Sequence, residues 1–136
     1  MAAVVADGAM VGVDAEVLGE RGAADPALAA LVCTPREQGI LVSLAAVPTR
    51  WWEVFLGMWV RKEAVAKAEG LGLSMSLTTL ETVPEGEDGS SGSWCLWSPR
   101  PASLHRVAVA ARTTGGPRPP FLHTVKTWRD LLDDLV

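Results

Sequence analysis

The segment Trp51-Trp52-Glu53-Val54-Phe55-Leu56-Gly57-Met58-Trp59-Val60 places eight apolar residues, three of them tryptophan, in ten positions. Pro48-Thr49 opens a helix that runs from about Arg50 to Glu69, and Gly70 stands where a left-handed cap residue would end it. At about 100° per residue, Trp51, Val54, Phe55, Met58, Val65 and Ala66 form one stripe, with Trp59 at its edge. Trp52, Leu56 and Val60 form a second stripe on an adjoining face. Glu63 and Lys67, a favourable i,i+4 pair, continue that face as polar surface. A helix covering one side of a single sheet does not need the second stripe. Each indole buries roughly 150–250 Å², worth ~4–6 kcal/mol as an upper bound at about 25 cal/mol per Å². The second stripe must therefore be covered, either by the N-terminal segment and C-terminal helix of the same chain or by another molecule. Lys62 falls near the middle of the first stripe, so the core contact covers the first two or three turns unless its stem snorkels out.

The 136 residues, 49% hydrophobic and 21% charged with a formal net charge of −4, suffice for one core and a single domain over 1–136. Cys33 and Cys95 are too few for a disulfide framework and lack the paired spacing of a zinc site, which makes a reducing cytoplasm the expected home. Met1 to Val13 carries no Lys or Arg, the wrong charge for a secretory leader. The longest uncharged apolar run, Gly39 to Thr49, is about half a bilayer crossing, so no membrane span is expected. Nine Arg against three Lys fit a GC-rich bacterial genome or a phage of such a host.

Along the chain, Asp7-Gly8 suits a hairpin turn within Ala2 to Val13. Asp14 could cap a short helix through Glu20, and Asp25-Pro26 is a stronger helix start that puts Leu28, Leu31 and Val32 on one side. Thr34-Pro35-Arg36-Glu37 has capping-box spacing, but Gly39 and the β-branched residues after it favour a strand at Ile40 to Ala46. After the long helix, Leu71, Leu73, Met75 and Leu77 alternate with small residues, the period of a half-buried strand. Glu81 to Ser93 is an acidic, Gly/Ser-rich loop. Ser93 to Ser98 and Leu104 to Arg112 read as strands joined by Pro99-Arg100-Pro101. Thr113 to Pro120 makes a reversal, and a helix capped by Thr124 carries Val125, Trp128, Leu131, Leu132 and Leu135. The fold class is α+β, an antiparallel sheet of about four strands packed by the long Trp-rich helix and a C-terminal helix.

Few residues are arranged for chemistry. There is no metal-binding His pair, nucleophile elbow or phosphate loop, and Gly70-Leu71-Gly72 reads as a helix stop. No cofactor and no metal are expected. Asp14/Glu16 and Asp130/Asp133/Asp134 could bind a cation, yet they read as solvated acids at helix positions. His105 and His123 are the only histidines, and Cys95 lies on the strand expected to pair near His105, so a Cys95–His105 thiolate pair stands against a small buried cysteine between Trp94 and Leu96. Residues 1–88 hold 13 acids and 6 bases, residues 89–136 hold 3 acids and 6 bases. Arg106 and Arg112 share a strand face with Ala108 and Ala110, opposite Val107, Val109 and Ala111. That face is either an anion-binding surface or the solvated side of an acidic protein, whose net charge opposes nucleic acid.

Cys95, the Val107-Ala108-Val109 strand, Gly115-Gly116-Pro117, Phe121-Leu122-His123-Thr124 and Trp128 with Leu131-Leu132 resemble the C-terminal pattern of a small family of uncharacterised proteins, found mainly in actinobacteria and often encoded beside helix-turn-helix regulators. The resemblance covers the last third, has no counterpart for residues 1–70, and implies an interaction role.

The reading is a non-enzymatic protein-binding subunit, an adaptor or regulatory partner, homodimeric through apolar helix surface. Trp52, Leu56, Val60, Trp94 and Trp97 would be its partner-binding anchors. Self-association or another protein is the expected partner, not nucleic acid. The alternative is a small-molecule-binding protein or small enzyme with a Trp-lined pocket in which His105 or His123 handles a proton.

Overall fold

The computed structural model describes residues 4, 6, 8–82, 88–99 and 104–112. It has the expected α+β architecture. The elements are β1 (Met10–Val17), α1 (Pro26–Val32), α2 (Pro35–Ser43), α3 (Pro48–Glu69), β2 (Gly89–Ser91), β3 (Trp94–Trp97) and β4 (His105–Arg112), with single 3-10 turns at Gly72–Ser74 and Leu77–Thr79. The four strands form an antiparallel sheet in the order β1-β4-β3-β2. The expected C-terminal helix and part of the Asp7-Gly8 hairpin lie outside the described residues. Among those described, no helix is long and apolar enough to cross a membrane.

Local chemistry explains the helices. Asp25 Oδ1 accepts from Leu28 N at 2.9 Å, and Pro26 follows it at the first helical position. Thr34 and Glu37 close a reciprocal capping box, with Glu37 N donating to Thr34 Oγ1 at 3.3 Å and Thr34 N donating to Glu37 Oε2 at 2.8 Å. That box starts a helix which carries on to Ser43, so the strand expected at Ile40 to Ala46 is a correction. Two satisfied N-terminal donors outweigh a weak β preference. Gly70, at φ 71°, ends α3 as expected, its N–H reaching back to Ala66 and Lys67.

Two more expectations fail. Asp14 belongs to β1 and caps no helix. The alternation at Leu71 to Leu77 does not make a strand, because Gly72 at φ 52° turns the chain and Lys62 Nζ takes the Leu77 and Leu80 carbonyls at 2.8 and 2.5 Å. Leu77 O also accepts from Leu80 N, so this stretch closes into turns.

α3 is buried along most of its length. Its first turns carry Trp51, Trp52, Phe55, Leu56 and Met58 into a cluster with Ala29 and Val32 of α1, Leu41 of α2, and Cys33 between them. Trp51 stacks on Phe55 at 5.1 Å, and Trp52 meets both edge-on. Farther along, Val60, Ala64 and Val65 pack on Trp94, Leu96, Ala108 and Ala110 of the sheet. The second stripe is thus covered within one chain, with Trp52 only 9%, Leu56 3% and Val60 1% exposed. Trp52 Nε1 also donates to Gly22 O at 3.1 Å, beneath the Arg21 guanidinium. The α1–α2 pair covers Trp52 and Leu56 and the sheet covers Val60, which periodicity on one helix could not show.

Candidate active site

On β1 the two-residue period sets Gly12, Asp14 and Glu16 on one face and Val11 and Val13 on the other. The valines pack with Trp97, Val109 and Ala111. The Gly12 face lies under α3, and its cross-strand partners on β4 are Ala110 for Gly12, Ala108 for Asp14 and Arg106 for Glu16. Ala108 and Ala110 are fully buried. These small residues let the helix come close. A Cβ added to Gly12 would collide with the Ala64 carbonyl oxygen and stand 2.6 Å from the Ala68 nitrogen.

Ala64 and Ala68 therefore sit over Gly12, and Glu63 and Lys67, the same i,i+4 step one residue earlier, come to Asp14. Lys67 Nζ donates to Asp14 Oδ1 at 2.7 Å, with the lysine half-exposed and the aspartate buried. Asp14 Oδ2 and Glu63 Oε1 are buried without a hydrogen-bond partner, the two such side-chain atoms among the described residues. A buried polar oxygen in that condition is costly. Burial, and next the Asp14 carboxylate, push the Glu63 carboxyl above the usual range, Lys67 opposes them, and Glu16 adds to the rise.

Three carboxylates, Asp14, Glu16 and Glu63, thus act on one locality against the single ammonium of Lys67. A divalent cation within reach of these oxygens would supply the partner each lacks and offset the burial and repulsion that raise Glu63. Among the described residues no three His, Cys, Asp or Glu side chains are grouped to enclose an ion. Two carboxylates with water and substrate phosphate in the other positions is the mode in which Mg²⁺ binds, and the residues present fit it.

A family model described as the 4'-phosphopantetheinyl transferase superfamily matches residues 10–117, which span β1, α3 and the rest of the sheet. The chain belongs to the 4'-phosphopantetheinyl transferase superfamily. No curated protein sequence matches it. Membership overturns the resemblance to the actinobacterial family beside helix-turn-helix regulators, which rested on a strand–turn–strand–helix unit too common to discriminate. It also overturns the non-enzymatic adaptor reading, and with it "protein binding" as the character of the chain, because the superfamily is one of transferases. The alternative of a small enzyme fits better.

The other candidate residues fall elsewhere. Trp94 and Trp97, at 5% and 8% exposure, are buried like the α3 stripe and offer no open anchor surface. Cys95 pairs with Ala111, six residues along β4 from His105, a separation of roughly 20 Å at strand rise. The structure does not bring that pair together. His105 is exposed at the opposite end of β4, and His123 and Asp130/Asp133/Asp134 lie outside the described residues. Arg112 binds Glu69 at 3.1 Å and lies over Trp94, while Arg106 approaches Glu53 at 3.9 Å. Both acids are on α3, so the arginine face is the one the helix covers, which corrects the picture of an open cationic surface.

On sequence alone Asp14/Glu16 and Glu63/Lys67 stand as separate polar groups, and only the packing of α3 on β1 brings them together. The signal was present. Val11, Val13 and Val17 alternate with Gly12, Asp14 and Glu16 at strand period, which places two acids and a glycine on one face.

Proposed function

We propose that this chain forms a divalent-cation-dependent site for moving a 4'-phosphopantetheinyl group onto an acceptor hydroxyl. The buried, partnerless oxygens of Asp14 on β1 and Glu63 on α3, carboxylates close enough for Asp14 to raise Glu63, in a chain of this superfamily, carry the proposal. A phosphopantetheinyl group is handed over at its phosphorus. With coenzyme A, which presents it as a phosphoric anhydride, the acceptor oxygen forms a new P–O bond, the bridging P–O bond breaks, and the nucleotide phosphate leaves with the electron pair.

Asp14 Oδ2 and Glu63 Oε1 would hold the ion, with Lys67 fixing the Asp14 carboxylate through its other oxygen. When bound, Mg²⁺ supplies positive charge to the phosphate oxygens on which charge develops. Glu16 deepens the negative potential that attracts the cation. The half-exposed Lys67 ammonium suits a donor phosphate at the rim. The acceptor hydroxyl releases its proton to water as the new P–O bond forms.

Calorimetric Mg²⁺ titration of the wild type, Asp14→Asn and Glu63→Gln, with coenzyme A present, tests the site. Mass spectrometry of an acyl-carrier-type acceptor follows the transfer. Binding by the wild type, its loss in both variants and a Mg²⁺-dependent mass gain are expected. Equal Mg²⁺ binding by all three chains would defeat the proposal.

A further inference from the structure

We infer that the buried knot of Glu37, Lys62 and Thr82 is a positioning device that fixes the roll of α3 and thereby sets Glu63 against Asp14; the inference rests on the cation site proposed above. Lys62 and Glu37 are completely buried, with Nζ 2.8 Å from Oε2. Every polar atom of the pair is used. Lys62 gives its remaining protons to the Leu77 and Leu80 carbonyls, while Glu37 accepts from Thr34 N on Oε2 and from Thr82 N and Oγ1 on Oε1, each at 2.8 Å. Arg61, one residue earlier on α3, donates to Ser98 Oγ at 2.7 Å and reaches the Thr82 carbonyl at 3.5 Å. One locus thus ties α2, α3 and the segment after the second 3-10 turn.

Lys62 and Glu63 are consecutive, about 100° apart around the helix, so whatever sets the roll at Lys62 sets it for Glu63. On the sheet side, α3 meets β1 and β4 through Gly12, Ala108 and Ala110. Directly over Gly12, Ala108 and Ala110 this contact fixes how near the helix comes, and the side chains that interlock, Val60 and Val65 with Trp94 and Leu96, pack in the same cluster beside it. A roll of about 20° would carry a side-chain tip at the helix's outer radius of roughly 5–6 Å by about 2 Å. A displacement of about 1 Å can already cost on the order of a hundredfold at a reacting centre. The Glu37–Lys62–Thr82 knot adds directional resistance to that packing, as Lys67–Asp14 and Arg112–Glu69 do toward the sheet, and Lys62 is the pinned residue adjacent to Glu63.

The test compares Lys62→Met with Val32→Ala, a core truncation in α1 remote from the site and chosen as a stability control. Mg²⁺ affinity is measured by calorimetry on folded protein, and the crystal structure of Lys62→Met is determined. Lys62→Met is expected to bind Mg²⁺ at least about tenfold more weakly, with Glu63 Oε1 displaced from Asp14, while Val32→Ala keeps wild-type affinity. Should Lys62→Met not fold, Thr82→Val, which removes one bond to Glu37, is expected to give a smaller loss in the same direction. Wild-type affinity in the folded knot variant, or an equal loss in Val32→Ala, overturns the positioning role and leaves the cation site standing. If the wild type itself binds no Mg²⁺, the cation reading falls, and an unmoved Glu63 in the variant crystal overturns the positioning role independently.

Discussion

Gly12 of β1 and Ala64 of α3 meet so closely that a single methyl at residue 12 would strike the Ala64 carbonyl oxygen. The contact is backbone against backbone, with no flexible side chain to move aside. Gly12→Ala is therefore expected to destabilise the chain by about 1–3 kcal/mol, the range for overpacking, and to weaken Mg²⁺ binding by parting Asp14 from Glu63. Urea unfolding read alongside a Mg²⁺ titration checks both. An alanine variant with wild-type stability and affinity would show that the strand and helix can separate harmlessly.

Glu63 gives the pH dependence its sign. Burial, followed by Asp14, raises its carboxyl, so over the interval between the ordinary and the raised value the folded chain holds more proton than the unfolded chain. Without metal, this group's contribution falls as pH rises through that interval. Mg²⁺ binds the ionised form, so the rise in Tm on adding Mg²⁺ should grow with pH across the acid range. Thermal scans with and without Mg²⁺ at stepped pH test this, and a Mg²⁺ increment independent of pH would count against Glu63 as a ligand.

Two ion pairs of similar length should behave differently. Lys62–Glu37, at 2.8 Å, is fully buried, whereas Arg50–Glu53, at 2.7 Å, has its arginine side chain 62% exposed. Removing one partner of the buried pair strands a charge in the core. Lys62→Met is expected to cost about 3–5 kcal/mol, and Arg50→Ala less than about 1 kcal/mol. Equilibrium denaturation measures both, and similar costs would mean that water reaches the Glu37 carboxylate.

The two cysteines should differ in reactivity. Burial, then Glu37, push the Cys33 thiol up to about 11, with Lys62 opposing, and the residue is fully buried. Near pH 8 only about a thousandth of it would be thiolate. Cys95 is partly accessible. Iodoacetamide on native protein should label Cys95 well before Cys33, as read by peptide mass spectrometry. The raised Cys33 value also means that its contribution to stability is complete below the ordinary thiol range and is lost as pH climbs toward 11.

Covalent neighbours alone settled much of this protein. Asp25-Pro26 and Gly70 mark the ends of helices because the capping groups sit within three or four residues of the atoms they satisfy. The apolar loading of residues 51–60 required a buried helix on a sheet, and Leu104 to Arg112 read as a strand from its own alternation. What tertiary structure decided was which group meets which. Lys62, an anomaly in an apolar stripe, becomes sensible only when Glu37 arrives from α2. The Leu71 to Leu77 alternation is overruled by that same lysine drawing two carbonyls inward. Asp14 and Glu63 are 49 positions apart, and nothing local links them. A strand and a helix must first pack through Gly12 before two like charges, which repel in isolation, can be held where a cation would join them.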